Sequence, residues 1–134
     1  MLPPTPGPSH THKDPRNARD KAVQQAMRNV IWTRLQESQF QGVISRQTLL
    51  SPTAKDFRGI FEHFLVLIDP AYKAIENGKK FEDEVINILK VLHYPFVDAI
   101  DKKWLAAPAS MHSWPSLLAM LHWLAQISKV FIAT

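Results

Sequence analysis

Apolar positions are densest near the C-terminal end of the chain, between residues 112 and 131. Ser113 and Pro115 open this segment as residues typical of a helix N-cap and first turn. The rest is apolar almost all round, apart from one narrow stripe at His122, Gln126 and Lys129. A helix with so narrow a polar face is expected to be surrounded by other helices, with Trp123 in the core. The polar interruptions argue against a membrane span, which needs about 20 apolar residues.

The N-terminal part of the chain predicts one long helix and one short helical turn. Asp20 is a candidate N-cap, and apolar residues follow it at helical spacing, which predicts a helix over residues 20–38. Ser45 is expected to cap a short turn that carries Leu49 and Leu50 and stops before Pro52. The first helix and this turn would be joined by a loop around Gly42.

Two more helices are predicted in the middle of the chain. Thr53 and Asp56 have the spacing of a capping box and start a helix with a wide apolar face, which ends at Asp69-Pro70. Residues 71–79 are expected to be a mobile linker. The next apolar stripe begins at Phe81 and stops at Tyr94-Pro95-Phe96, and residues 97–112 are expected to be irregular. No strand pattern appears, so the pattern predicts an all-α globule of four main helices plus short ones.

Composition and charge narrow the function classes. The chain of 134 residues fits one domain, and residues 1–13, which hold four of its 10 prolines, are expected to form a disordered tail. There is no cysteine, which excludes disulfides and thiolate chemistry. The net charge of +4 favours acidic partners such as nucleic acid, an anionic membrane or an acidic protein surface.

The residues that could carry catalysis or bind a metal form no known constellation. The four glycines form no phosphate-binding loop, and His63, His93, His112 and His122 fall on four separate elements. The run Glu82-Asp83-Glu84 favours the positive end of a helix over a metal site, because adjacent positions point in different directions. The sequence therefore predicts no enzyme, no catalytic or metal-binding residue and no cofactor.

Several motifs occur in an order and with gaps that are specific in combination. They are Asp14-Pro15-Arg16 followed by Asp20-Lys21, Pro52-Thr53-x-Lys55-Asp56-Phe57, Asp69-Pro70-x-Tyr72, Lys80-Phe81-Glu82-Asp83-Glu84-Val85, Tyr94-Pro95-Phe96, Ser113-Trp114-Pro115 and Met120-Leu121-His122-Trp123-Leu124. Over residues 14–130 the chain resembles the N-terminal calponin-homology domain of the Ndc-eighty (Highly Expressed in Cancer) family of kinetochore proteins. The resemblance implies a calponin-homology domain at residues 14–134 after the tail.

The resemblance also implies a site, because the family contacts the acidic tubulin lattice through a patch of basic residues. Matched motif by motif, the implied microtubule-binding residues are Lys21, Arg46, Lys55, Lys80, Lys90, Lys102 and Lys103. A length difference before Trp114 leaves open whether Lys102 or Lys103 is the equivalent position. The tail departs from the family's long basic tail, since Lys13 is its only basic residue, which puts phosphoregulation of the tail in doubt.

The implied partners are microtubules, a Nuf-type calponin-homology subunit and the other subunits of a four-subunit kinetochore complex, with no nucleic acid and no membrane. The implied location is the nucleus, at the kinetochore of the centromere, in mitosis and chromosome segregation. The family's coiled coil would lie beyond Thr134, so the chain is expected to be a fragment or a truncated gene product. The alternatives are an actin-binding calponin-homology domain or a basic adaptor for membrane or nucleic-acid surfaces.

Overall fold

The computed structural model describes residues 17–72 and 80–132. In these ranges the chain forms four α-helices: α1 (Lys21–Glu37), α2 (Ala54–Ile68), α3 (Phe81–Val91) and α4 (Trp114–Ile132). Three short 3-10 helices connect them, at Arg46–Leu49, Val97–Ala99 and Lys102–Ala106. No strand occurs in this part of the chain, so the prediction of an all-α, calponin-homology-like fold is confirmed. The predicted tail, residues 1–13, and most of the predicted linker lie outside the described residues.

The predicted caps set where α1 and α2 begin. The Asp20 carboxylate accepts hydrogen bonds from the backbone N–H groups of Ala22 (2.8 Å) and Val23 (3.2 Å). The Asp56 N–H donates to the Thr53 hydroxyl oxygen, and the Thr53 N–H donates to the Asp56 carboxylate, both at 3.0 Å. These bonds satisfy N–H groups that have no partner inside a helix. Both helix starts, and the short helix after Ser45, are therefore confirmed.

Helix α4 is the centre of the core, as its apolar pattern predicts. It packs against both α1 and α2, and its residues Leu117, Leu118, Met120, Leu121 and Leu124 are completely buried. Complete burial of one such side chain stabilises the fold by about 1.5–3 kcal/mol. The narrow polar stripe predicted on α4 keeps partial access to solvent, since Gln126 and Lys129 are exposed and His122 is partly buried.

Trp123 is not the core tryptophan, contrary to the prediction. Its side chain is only half-buried and packs at the edge of the core, with its ring centroid 5.0 Å from that of Tyr94. Trp114, in the first turn of α4, is the buried one, with 7% of its surface exposed. The apolar face of α4 is so wide that the sequence does not indicate which of its two tryptophans points inward.

Helix α4 begins directly after Ser113, as predicted, but two local details before it differ from the expectation. The segment 97–112 contains the 3-10 helices Val97–Ala99 and Lys102–Ala106 and is thus more regular than predicted. The Ser113 hydroxyl donates backwards to the carbonyl of Ala107 at 3.0 Å, instead of being directed at the amides of α4. Ser113 therefore holds the preceding turn against the start of the helix, and its buried position fits this role.

A buried polar contact joins α1 to α4. Arg34 is 7% exposed, and its Nε donates to the Ser128 hydroxyl oxygen at 3.0 Å. The Ser128 hydroxyl in turn donates to the Ala125 carbonyl at 2.7 Å. Since a buried polar group is costly unless it is hydrogen-bonded, this pair fixes how the two helices face each other.

Candidate functional site, a basic face

All seven predicted microtubule-binding residues are exposed, but they lie on several elements. Lys21 starts α1, Arg46 starts the first 3-10 helix, and Lys55 lies in the first turn of α2. Lys80 precedes α3, Lys90 lies in its last turn, and Lys102 and Lys103 start the third 3-10 helix. The N-termini of several helices therefore carry basic residues, where they are solvated rather than packed.

Three of the seven residues come together around one concavity. The 3-10 helix Lys102–Ala106 packs against α3. This contact places Lys80, Lys102 and Lys103 around an open depression of about 400 Å³, which we call the lysine depression. Glu82 and Asp83 also line it. The depression is wide and open, and five of its six lining residues carry charged groups. Such a site suits contact with a large charged surface better than capture of a small apolar ligand.

Lys102 differs from its expected state. In a segment predicted to be irregular, the charges of Lys102 and Lys103 would both be free to meet a partner, but the Lys102 ammonium nitrogen lies 3.0 Å from a carboxylate oxygen of Asp83. The Lys102 side chain is nevertheless 61% exposed, so this surface ion pair is worth about 0.2–1 kcal/mol at most. Lys80 and Lys103 have no ion pair among the residues that the structure describes. Of the two neighbouring lysines, Lys103 is therefore the one without an ion pair in the described part of the chain.

The other predicted site residues do not share this depression. Lys90 is ten positions after Lys80 and thus about 15 Å further along α3. Lys55 borders a separate groove between α2 and the loop 40–44. The Arg46 guanidinium carbon lies 5.0 Å from the ring centroid of Trp32 in α1. The structure thus brings together a cluster of three lysines and leaves four basic residues apart from it.

The histidines give no support to an enzyme. In the parts of the chain that the structure describes, no group of three or more His, Asp or Glu residues is placed to hold a metal ion. His93 is exposed in the turn after α3, and His112 is exposed before α4. His63 on α2 packs its ring against Phe40, with centroids 5.1 Å apart, and its Nε2 lies 2.8 Å from the Ser38 hydroxyl oxygen. His63 therefore packs on Phe40 and bonds Ser38, the residue that caps the end of α1.

His63 gives the fold a pH dependence. The Ser38 hydroxyl donates to the Arg34 carbonyl at 2.6 Å, so His63 Nε2 is assigned as the donor to Ser38. Burial, and secondly the Arg34 charge, lower the pKa of His63 below 6.5. The unfolded chain therefore takes up this proton at a higher pH than the folded chain does. The stability that neutral His63 contributes is fully present above about pH 6.5, and it is lost as the pH falls through the lower pKa that His63 has in the folded chain.

We expect the free energy of unfolding, measured by urea titration from about pH 7.5 to about pH 5, to fall less steeply in His63→Gln than in the wild type. His112→Gln is the matched control, because its ring is exposed, and it should leave the slope unchanged. An identical slope in wild type and His63→Gln would contradict this account of His63.

Comparison with known proteins decides the family. A profile described as the HEC/Ndc80p family matches residues 22–134, which is most of the chain. The chain belongs to the HEC/Ndc80p family. This is the family whose motifs the sequence resembles, so that prediction is confirmed.

Relatives from three fungi illustrate the similarity. The chain is 46% identical over 124 residues to the probable kinetochore protein NDC80 of Cryptococcus neoformans, covering 90% of this chain and 17% of that protein. It is 35% identical over 115 residues to the kinetochore protein ndc80 of Schizosaccharomyces pombe, covering 86% of this chain and 18% of that protein. It is 35% identical over 133 residues to the probable kinetochore protein NDC80 of Yarrowia lipolytica, covering 96% of this chain and 20% of that protein. The chain thus spans about a fifth of the length of these curated relatives.

These names agree with the predicted place of the chain at the kinetochore, a nuclear structure of the centromere. A family of structural kinetochore proteins is not a family of enzymes, and this agrees with the prediction that the sequence encodes no enzyme. Among the described helices, none has both the length and the apolar content that a membrane crossing requires. The microtubule-binding role of the seven basic residues stays a prediction.

Sequence reasoning left out two residues beside the predicted Arg46. Arg28 and Trp32 are four positions apart on α1 and line one small concavity with Arg46. The spacing i, i+4 between an arginine and a tryptophan was the available signal, because residues at this spacing are neighbours on a helix. The contact between Arg46 and Trp32 could not be predicted from spacing, because it depends on the path of the loop that joins α1 to the first 3-10 helix.

Proposed function

We propose that this domain is a microtubule-binding module of the kinetochore, which attaches chromosomes to spindle microtubules without enzymatic chemistry. The convergence of Lys80, Lys102 and Lys103 around one open depression carries the proposal. A cluster of solvated lysines attracts an acidic surface such as that of tubulin, and both the approach and the bound state gain from the opposite charges. Lys21, Arg46, Lys55 and Lys90 would extend the contact.

The strength of such a contact follows from its exposure. Each exposed charge pair contributes about 0.2–1 kcal/mol. A few pairs, minus the cost of association, give weak binding for one isolated domain. Many copies bound to one microtubule raise the overall strength without any new contact. Weak, reversible attachment by each domain is therefore the expected mode.

We also propose the partners that the family implies for the whole protein. These are a Nuf-type calponin-homology subunit and the other subunits of a four-subunit complex, joined through segments outside this chain. Their contribution would orient several basic domains toward the same filament. This part of the proposal rests on family membership and not on a surface of the described residues.

The experiment is co-sedimentation of the domain, side by side, with stabilised microtubules, actin filaments, anionic vesicles and duplex RNA. We expect pelleting with microtubules, with binding that weakens steeply between low salt and about 0.15 M, where the Debye length shrinks to about 8 Å. Stronger pelleting with actin filaments would favour an actin-binding calponin-homology domain. Equal binding to all four would mean that the basic face recognises charge alone, and it would contradict the proposal.

A further inference from the structure

The lysine depression carries two negative charges beside its three positive ones. Glu82 and Asp83 lie in the first turn of α3 and line the depression together with Lys80, Lys102 and Lys103. Three ammonium groups against two carboxylates leave the lining with a net charge of only +1. The two carboxylates therefore lower the attraction of the depression for any anion that approaches it.

Their place in a helix does not fully account for these carboxylates. Acidic residues in the first turn favour the positive end of a helix, and Glu84 occupies the same turn of α3. Helix α2 has a single acidic residue there, Asp56, and α1 has none. The Asp83 carboxylate also reaches outside its own helix, since it accepts a hydrogen bond from the Lys102 ammonium group at 3.0 Å. Asp83 thus acts directly on a cation of the depression.

The ion pair positions Lys102 and opposes its attraction for other anions. It joins α3 to the third 3-10 helix, and both side chains remain in contact with solvent, at 61% exposed for Lys102 and 46% for Asp83. An anion that binds the Lys102 ammonium group must therefore compete with the Asp83 carboxylate and lie close to its negative charge. Lys103, the next residue, has no such partner in the described part of the chain.

Two classes of acidic partner respond differently to carboxylates in a basic site. Duplex DNA carries one negative charge per about 1.7 Å of its axis and no positive charge, so Glu82 and Asp83 only repel it. A soluble protein surface carries charges of both signs. Its lysines and arginines can pair with the two carboxylates while its own carboxylates pair with the lysines. This difference matters at a kinetochore, because chromosomal DNA of the centromere competes there for basic residues.

We propose that Glu82 and Asp83 are specificity-determining residues, which make the lysine depression bind a protein surface of mixed charge and reject duplex DNA. Asp83 acts in two ways, by its own repulsion and by holding Lys102, whereas Glu82 acts by repulsion alone. The choice of the favoured partner rests on the proposed function. The rejection of DNA is a property of the lining itself, so it is tested without microtubules.

The first measurement is the binding of a short fluorescent DNA duplex of mixed sequence, followed by fluorescence anisotropy as the salt concentration is raised. Glu82→Gln/Asp83→Asn should tighten DNA binding about 2- to 30-fold at a fixed low salt, as expected for two lost exposed repulsions. The slope of log affinity against log salt should become steeper by up to about 1.8, since each neutralised phosphate contributes about 0.9. Glu82→Asp/Asp83→Glu keeps both charges and should bind DNA as weakly as the wild type.

Asp69→Asn/Asp98→Asn is the matched control, because it makes the same change in net charge at exposed positions outside the depression. It should tighten DNA binding by a smaller factor than Glu82→Gln/Asp83→Asn. Thermal melts by circular dichroism establish that every variant compared is folded. Equal tightening by the control, or unchanged DNA binding in Glu82→Gln/Asp83→Asn, overturns the proposal.

One further substitution locates the bound DNA. Lys103→Gln, added to Glu82→Gln/Asp83→Asn, should remove most of the gain in DNA affinity. Lys21→Gln, at the start of α1 and outside the lining, should leave that gain in place. A gain that survives Lys103→Gln would mean that the DNA binds elsewhere on the domain, and the two carboxylates would then not guard the lysine depression.

The second measurement is co-sedimentation of the same variants with stabilised microtubules. A surface of mixed charge loses its own pairs with the two carboxylates, so Glu82→Gln/Asp83→Asn should raise microtubule affinity by a smaller factor than DNA affinity. Equal factors for both partners would overturn the selectivity. If the wild type does not pellet with microtubules while DNA binding tightens as expected, the proposed function fails and the rejection of DNA stands.

Discussion

Phe61→Ala is expected to lower the free energy of unfolding by about 3–5 kcal/mol, because it leaves a large cavity where three aromatic rings meet. Phe61 is completely buried in α2, a helix that packs against α4. Its ring stacks on Phe57 at a centroid distance of 6.1 Å and meets the edge of Phe81 at 5.8 Å. Each such aromatic pair adds about 0.5–1.5 kcal/mol beyond the burial of its area. Since domains of this size are stable by about 5–15 kcal/mol, this one change removes much of the stability.

Trp123→Ala is the control for this prediction, because Trp123 is also aromatic but only half-buried. Its loss removes the contact with Tyr94 and part of a hydrophobic surface, for which we expect about 1–3 kcal/mol. Urea denaturation followed by circular dichroism measures both variants under the same conditions. A larger loss for Trp123→Ala than for Phe61→Ala would mean that the core is centred on the contact between α4 and Tyr94 and not on the contact between α2 and α4.

The features that the sequence predicted well are those set by neighbours along the chain. Asp20 caps α1 by bonding the N–H groups two and three positions later, and Thr53 and Asp56 bond each other across three positions. The apolar spacing of α2 and α3 is likewise local. Such patterns predict where a helix begins and which face is apolar, because both depend on the period of one helix.

What the sequence did not predict depends on contacts between distant positions. The Arg34–Ser128 pair joins residues 94 positions apart, and neither residue belongs to a sequence pattern that predicts the contact. The choice of Trp114 over Trp123 as the buried tryptophan depends on how α4 is rotated against α1 and α2. Because nearly every side of α4 is apolar, its own sequence leaves that rotation undetermined.

The grouping of the seven basic residues also depends on contacts between distant positions. The motifs supplied seven basic positions, but only the packing of a 3-10 helix on α3 brings Lys102 and Lys103 beside Lys80. The Lys102–Asp83 pair spans 19 positions and lies between two segments that the sequence assigned to different elements. A pattern of exposed lysines therefore predicts a basic surface, and only the fold shows which charges act together and which are already paired.

Lys102→Glu/Lys103→Glu is expected to weaken microtubule binding about five- to several-hundred-fold while leaving the domain folded. The double change replaces two attractions with two repulsions. At about 0.2–1 kcal/mol for each exposed pair, doubled by the change of sign, the total is roughly 1–4 kcal/mol. Because Lys102 already shares its charge with Asp83, Lys103→Glu alone should account for more than half of the loss.

The measurement is co-sedimentation with stabilised microtubules, with thermal melts by circular dichroism beside it. Arg19→Glu/Lys129→Glu is the matched control, since it makes the same change in net charge at exposed positions outside the lysine depression. The loss should shrink as salt rises toward about 0.15 M, because screening weakens attraction and repulsion alike. The lost Lys102–Asp83 pair should alter stability by no more than about 1 kcal/mol. If the folded double variant pellets as well as the wild type, or no worse than the control, the lysine depression is not the contact. Microtubule binding would then have to involve the basic residues that lie apart from it.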